Sequence, residues 1–470
     1  MREAPVGLVG VFFAGRPYLT ISILSAGLVT LAVMGARAAE GGVLLAEFGA
    51  ASAYALAAPL MLAALAPTRN APRLIFAALV IALVAGAAAI GYGLITLPPG
   101  VPFPDYRLTL AAGALFVVIL VLAPLAHNVM RLGLLGPLAA VLGATGAGGY
   151  LAYEGLLMRE AGAAALALGL AFGASAGVGV ASDFASLFAA GAQKRNAAAA
   201  AGHRAVAIST FSLLLAAAYF TVFAVGGAVD IEAWRTVLAG VIVTAAAVVT
   251  SVAAVSGGLA LTSISEQAAV DENRRRRWFA RQWRPIRLSL PPATAAAGVA
   301  IAGILVVIAI FENGFANPAL MAGFIAAVII AAGVAFVSIR TSLLIAGLLT
   351  VSAVLADMMT AVMALAPMEP SERFCALALA AGALGHLCVS WRDAGERWRN
   401  ARDVVENAFN DGLRRLLVAA ASSAGALYAA ASAFGWAGGV AVITYFLCVC
   451  LFALLLAPAA MTVMSARLTF

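Results

Sequence analysis

The sequence predicts an all-α polytopic membrane protein of about fourteen transmembrane helices. They are arranged as two parallel six-helix repeats preceded by an N-terminal two-helix hairpin. Three observations carry this prediction. Apolar runs long enough to cross a bilayer recur along the chain, basic residues gather in every second loop, and a stretch near residue 190 returns near residue 394.

Composition sets the class. Hydrophobic residues make up 64% of the chain and charged residues 10%, against about 45–50% and about 25% in soluble domains. That excludes a globular enzyme carrying a membrane anchor. The net charge of +7 does not indicate a nucleic-acid partner, because the positive residues sit in short loops between apolar runs, where the positive-inside rule puts them. The partner it implies is membrane lipid. Cys375, Cys388, Cys448 and Cys450 fall inside apolar runs, so they read as small packing residues and not as a disulfide framework. The opening stretch MREAPVGLVGVFFAGRPYL lacks an A-x-A cleavage site and reads as a mature cytoplasmic end.

A span needs about 20 apolar residues, since the hydrocarbon core is about 30 Å thick and a helix rises about 1.5 Å per residue. Runs of that kind lie near 17–38, 43–66, 73–97, 108–127, 132–153, 162–190, 205–228 and 236–262, then near 288–311, 317–338, 341–365, 373–391, 413–434 and 438–465. The chain thus divides into a two-span hairpin over 1–72, a first six-helix unit over 73–262, a basic linker over 263–287 and a second unit over 288–470.

The loops orient these runs. With the N-terminus inside, the cytoplasmic loops carry Arg69 and Arg73, Arg131, Lys194 with Arg195 and Arg204, Arg274 to Arg277, Arg340, and Arg392 to Arg402. The opposite loops hold Glu40, Asp105, Glu154, Asp230, Glu232, Glu312 and Glu369. This asymmetry places both termini in the cytoplasm of a bacterial-type plasma (inner) membrane. The outer loops are short, so an external substrate must be handled within the membrane or by a partner protein.

Two cytoplasmic segments are long enough to have structure of their own. Arg274, Arg275, Arg276 and Arg277, followed by Trp278 and Trp283, suit a helix lying on an anionic membrane surface or binding a partner; equally they suit a linker whose charges enforce topology. Over 393–412, Val404, Val405, Ala408 and Leu413 recur at helical spacing among charged residues, which predicts an amphipathic helix.

Ionisable side chains inside spans cost about 2.5–3.5 kcal/mol each at the centre of the bilayer and are functional candidates by default. Four qualify: Asp183, Asp357, His386 and Glu47. A carboxyl group taken out of water can take up and release a proton near neutral pH, and histidine titrates there unaided. Together they read as candidate proton-relay groups. The bland alternatives are a carboxylate near the interface, bonded to Ser182 or Ser186 or paired with a basic loop residue, for Asp183, a neutral core histidine for His386, and an interface anchor for Glu47. By count, Asp357 is the deepest of the acids. The three histidines are widely separated, which argues against a zinc or multi-haem site. No phosphate loop or Ser–His–Asp pattern stands in a credible context. The reading therefore includes no metal, no cofactor and no enzymatic reaction.

The internal repeat is local and specific. AGAQKRNA (Ala190–Ala197) aligns with AGERWRNA (Ala394–Ala401), and Gly202-x-Arg204 with Gly412-x-Arg414. Three stretches resemble the membrane portion of the resistance-nodulation-division superfamily, in particular its MMPL-like lipid-exporting branch. Gly179-Val180-Ala181-Ser182-Asp183-Phe184 is similar to that family's G-x-x-x-D-[YF] in the fourth helix of a six-helix unit. Gly202–Gly227 is similar to the helix that follows, and Arg414–Met461 to the last two. The resemblance implies two parallel units with proton-relay residues on the fourth helix of each. The family's large external domains are missing here, which leaves room for a partner protein that would supply them. In the second unit His386 stands where an acid is expected.

These features make the leading expectation a proton-coupled secondary transporter, or a transporter-like core, moving a small or lipophilic solute. A non-transporting scaffold subunit that binds partner proteins is the alternative. A sodium-coupled solute symporter ranks third, because such transporters use inverted repeats.

Overall fold

The computed structural model describes residues 159–225, 231–261, 339–363, 365, 368–396, 400–434 and 438–466, together with scattered helical positions between 136 and 151. The two-span hairpin over 1–72, the linker over 263–287 and four further predicted runs lie outside the described residues.

What is described is almost entirely helix: α1 (Arg159–Ala189), α2 (Lys194–Val225), α3 (Ile231–Leu261), α4 (Ile339–Val362), α5 (Pro370–Gly395), α6 (Ala401–Phe434) and α7 (Gly439–Ala466). Among the described residues, all of these except α6 are long and apolar enough to cross a membrane. These six correspond to the runs read near 162–190, 205–228, 236–262, 341–365, 373–391 and 438–465. The protein is thus a multi-pass helical membrane protein.

Helix ends follow local chemistry more than the edges of apolar runs. After α1 the amide of Ala192 bonds to the carbonyl of Leu187 at 3.1 Å and that of Gly191 to Phe188 at 3.0 Å, with Gly191 at φ 87°. This is the paired-bond helix stop that needs a left-handed residue, which glycine supplies without steric cost. α2 restarts at Lys194, earlier than the apolar run, because the Ala-rich stretch 197–201 propagates helix through the basic turn. In the second copy of the repeat, α5 runs to Gly395 and α6 begins at Ala401. There the Asn400 side chain accepts the amide of Arg402 at 3.2 Å, an N-cap. The helix foreseen over 393–412 therefore begins at 401, and it does not end at 412: it continues as α6 to Phe434.

The chain forms two compact units, Met1–Val206 with Trp234–Asn273 and Gly425–Gly439, and Ala207–Ala233 with Arg274–Ala424 and Val440–Phe470. In the first unit, α1 meets α3 through a ladder of small residues. Gly169 lies against Val243, Gly173 against Ala247 and Gly177 against Ser251. Both partners advance by four residues in the same sense, so α1 and α3 run parallel, joined along one ridge each. A Cβ on Gly177 would lie 2.5 Å from the Gly136 Cα and 2.6 Å from the Ser251 Oγ. The close approach admits polar links as well. Ser251 donates to the Gly173 carbonyl at 2.6 Å, and Thr250 to the Ala139 carbonyl at 3.0 Å. Ala140, Ala144, Ala147, Leu151, Ala165, Leu166, Ala239 and Val243 complete an alanine-rich core.

In the second unit α5 is the axis. Its Gly385 packs on Ile208 of α2, and Gly412 of α6 packs on its Leu387 and Ser390. Its Trp391 Nε1 donates to Ser465 of α7 at 2.9 Å, and its Phe374 meets Phe220 of α2 edge to face at 6.1 Å. The contacts Ile208–Gly385 and Phe220–Phe374 set α2 antiparallel to α5. α5 opens with Pro370, which suits the first helical position. The Glu372 carboxylate, in the first turn, accepts the amide of Glu369 at 2.9 Å.

The α1–α3 ladder yields a direct test. Gly177→Val should lower the thermal unfolding midpoint of the detergent-purified protein, by the equivalent of about 1–3 kcal/mol of overpacking. Gly347→Ala, where an added Cβ meets nothing within 4 Å, should not lower it, since alanine favours helix over glycine.

Candidate functional site

The six candidate spans are not equally sheltered. The most apolar window of Ala164–Ala189 is 83% buried and that of Pro370–Gly395 100%, against 44–61% for the other four. These two are α1 and α5, the helices that carry Asp183 and His386.

Asp183 is 4% exposed and His386 5% exposed. At about 1.5 Å per residue, Asp183 lies about 9 Å, and His386 about 14 Å, from the C-terminal end of its helix. Around Asp183, Ser182 is also buried, and Phe184 stacks on Phe188 at 5.5 Å. The Ser186 hydroxyl donates to the backbone carbonyl of Asp183 at 2.8 Å, so this serine leaves the carboxylate to other partners. Beside His386, Ser390 donates to the histidine's own carbonyl at 3.0 Å. Each group sits in its own unit.

Asp357 is placed differently from its count along the run. It stands about 8 Å from the end of α4, and its side chain keeps 37% of its surface exposed. Asp183 is the more completely buried acid. Asp357 forms an ion pair with Arg373 at 3.2 Å, a residue at the very start of the apolar run read near 373–391. The pair ties the end of α4 to the first turn of α5.

Further polar groups gather around this pair. Tyr445 of α7 is 1% exposed, donates to the Ala353 carbonyl of α4 at 3.5 Å, and lies within the electrostatic reach of Asp357, Arg373 and Tyr219. Tyr219 of α2 is hydrogen-bonded to Thr350 of α4, which in turn donates to the Ala346 carbonyl at 2.7 Å. Ala346, Thr350, Ala353 and Asp357 follow one another at steps of four, three and four residues, a single stripe of α4. Four helices thus contribute to one polar node. Sequence reasoning found only Asp357 of its members. The available signal was a tyrosine inside each of two apolar runs, and an arginine three residues after a helix-opening proline.

Glu47, Arg274, Arg275, Arg276, Arg277, Trp278 and Trp283 lie outside the described residues. Among the described residues no group of three or more His, Cys, Asp and Glu side chains is placed to hold a metal ion.

These features define the class, a multi-pass helical membrane protein with ionisable side chains on the two most sheltered of its described spans. No family model matches the chain, and no curated protein matches it. Among solved structures it is similar to SecDF, a translocon-associated membrane protein from Thermus thermophilus, with 13% sequence identity and a TM-score of 0.46 over 76% of this chain. The chain spans 62% of the length of that protein.

The node's internal bonding can be measured. Tyr219→Phe and Thr350→Val should each lower the thermal midpoint, and in a double-mutant cycle they should couple by about 1 kcal/mol. Independent effects would mean that the two hydroxyls do not bond.

Proposed function

We propose that this protein is a proton-coupled secondary transporter, or a transporter-like membrane core, acting on a small or lipophilic solute, with Asp183 and His386 as its principal proton-relay groups. One observation carries this reading. Asp183 and His386, each well inside its helix, are nine-tenths buried or more on the two most sheltered of the six candidate spans. An ionisable group in the interior of a membrane bundle is expensive, and a proton pathway is one of the few roles that repays it. The repeat motif and the resemblance to the resistance-nodulation-division superfamily support the same reading. In it the chain has two parallel units and both termini in the cytoplasm of a bacterial-type inner membrane, and Asp357 and Glu47 stand as secondary relay candidates. A partner protein would supply the external domains, and the arginine-rich segment at 274–277 with Trp278 and Trp283 would rest on the cytoplasmic lipid surface.

The test needs no cargo. In proteoliposomes with an imposed pH gradient and an interior pH dye, the wild-type chain should dissipate the gradient faster than empty vesicles. Asp183→Asn keeps shape and hydrogen-bonding capacity while removing the titratable group. It should slow proton flux by about tenfold or more, the scale of a positioned proton-transfer group, and His386→Gln should do likewise. Flux equal to that of empty vesicles in the wild type, or unchanged in both variants, would overturn the proposal.

Orientation has its own test. A cysteine introduced at position 275 in a background lacking the native cysteines should resist an impermeant maleimide in intact cells and react once the cells are lysed. Labelling in intact cells would reverse the topology.

A further inference from the structure

The polar node of the second unit has a feature that Asp183 and His386 lack: it is open at one edge. Arg373 keeps 28% and Asp357 37% of its side-chain surface exposed, at the end where α4 turns back into α5. Both charged groups are thus reachable from outside the helix packing at that end. Behind the pair the interior closes abruptly. Cys375 and Ala376 are 0% exposed, Phe374 and Leu377 2%, and the Tyr445 and Tyr219 hydroxyls are bonded to α4.

We propose that Asp357 and Arg373 form a proton-operated latch between α4 and α5, in which Arg373 is a positioning residue and Asp357 the group that takes the proton. The inference rests on the proton-coupled reading above and gives this end of the second unit its gate. With Asp357 ionised, the guanidinium holds the two helix ends together across a part-exposed boundary where the attraction is only partly screened. A proton taken from water at that edge converts the carboxylate to a neutral acid, and the Coulomb attraction to Arg373 is lost. Arg373, which keeps its charge throughout, then turns outward to water, and the first turn of α5 loosens from α4.

Among the described residues few groups face Asp357. Arg373 faces it from α5, Tyr445 from α7, and Tyr219 lies beyond Tyr445 on α2. On α4 itself no charged residue stands between Arg340 and Asp357. Glu372, next to Arg373, is engaged with the amide of Glu369 and buried. Among the described residues the charged partner of Asp357 is Arg373.

Cys375, two residues along α5 from Arg373 and fully buried, is a native reporter of this end. The experiment follows its alkylation by N-ethylmaleimide in the full-length, detergent-purified chain carrying Cys388→Ala, Cys448→Ala and Cys450→Ala. At pH 7.5 labelling should be slow. Asp357→Asn and Arg373→Gln should each speed it about tenfold relative to the parent at the same pH, and Arg373→Lys should restore slow labelling. Rates are compared after division by the reaction rate of a free thiol at each pH. So corrected, the parent's rate should rise as the pH is lowered from 7.5 into the range where carboxylates titrate, while that of Asp357→Asn stays flat. A monodisperse size-exclusion peak and an unfolding transition in each variant separate latch opening from misfolding; where Asp357→Asn does not fold, the parent's pH dependence and Arg373→Lys decide the question. Equal rates in parent, Asp357→Asn and Arg373→Gln, or a parent rate independent of pH, overturn the latch. Loss of proton flux in Asp183→Asn together with unchanged Cys375 labelling would overturn the latch and leave the transport proposal standing. The reverse pattern would keep the latch as a proton-responsive switch and overturn transport.

Discussion

The close approach of α1 and α3 is the contact on which the first unit depends, and it rests on three glycines. Helices already in lipid gain little from burying apolar surface against each other, because the acyl chains are as apolar as the side chains they replace. What remains is van der Waals contact at short range and hydrogen bonding between helices. Gly169, Gly173 and Gly177 allow both. They bring the Gly173 carbonyl within 2.6 Å of the Ser251 hydroxyl. A single methyl at Gly177 would collide with Gly136. The alanines of the neighbouring core are a consequence of the same constraint: at this separation larger side chains do not fit.

The second unit solves the same problem around α5, with more polar means. Trp391–Ser465, Tyr219–Thr350, Tyr445–Ala353 and Asp357–Arg373 each join two helices. In hydrocarbon these bonds are worth having because an unpaired donor has no water to turn to. Their distribution is uneven. Tyr219, Thr350, Tyr445, Asp357 and Arg373 gather into one node, while His386 lies about 20 Å further along α5 from Arg373 at the usual helical rise. Two kinds of ionisable site result: groups enclosed on the sheltered helices, and a pair that stays in touch with the surroundings.

Helix ends show how little of a membrane protein's backbone is decided by hydropathy alone. The apolar run near 205–228 gave no sign that α2 begins at Lys194, because lysine and arginine lower the hydropathy of a segment without opposing helix formation. Gly191 did mark the preceding stop, by the conformation it alone adopts cheaply. The segment 393–412 has a helical period but no stop signal at 412, and Gly412 sits inside α6, where it lets that helix approach Leu387 and Ser390.

The amino-acid sequence by itself determined the membrane class, the helical build and the identity of two buried ionisable groups, because each follows from composition and period. Twenty-odd apolar residues in lipid have little choice but helix, and an aspartate or histidine in such a run is visible without knowing its neighbours. Only the tertiary structure decided which helices are enclosed, since every run is apolar and hydropathy does not distinguish lipid from protein as surroundings. It also decided that Asp357 stands at an edge paired with Arg373, where counting along the run had made it the deepest acid. Arg373, Tyr219 and Tyr445 were illegible as functional residues for the same reason. Their partners are separated from them in the chain by 16 residues for the ion pair and by 131 and 92 for the two tyrosine hydroxyls, and no local pattern records a contact made between helices.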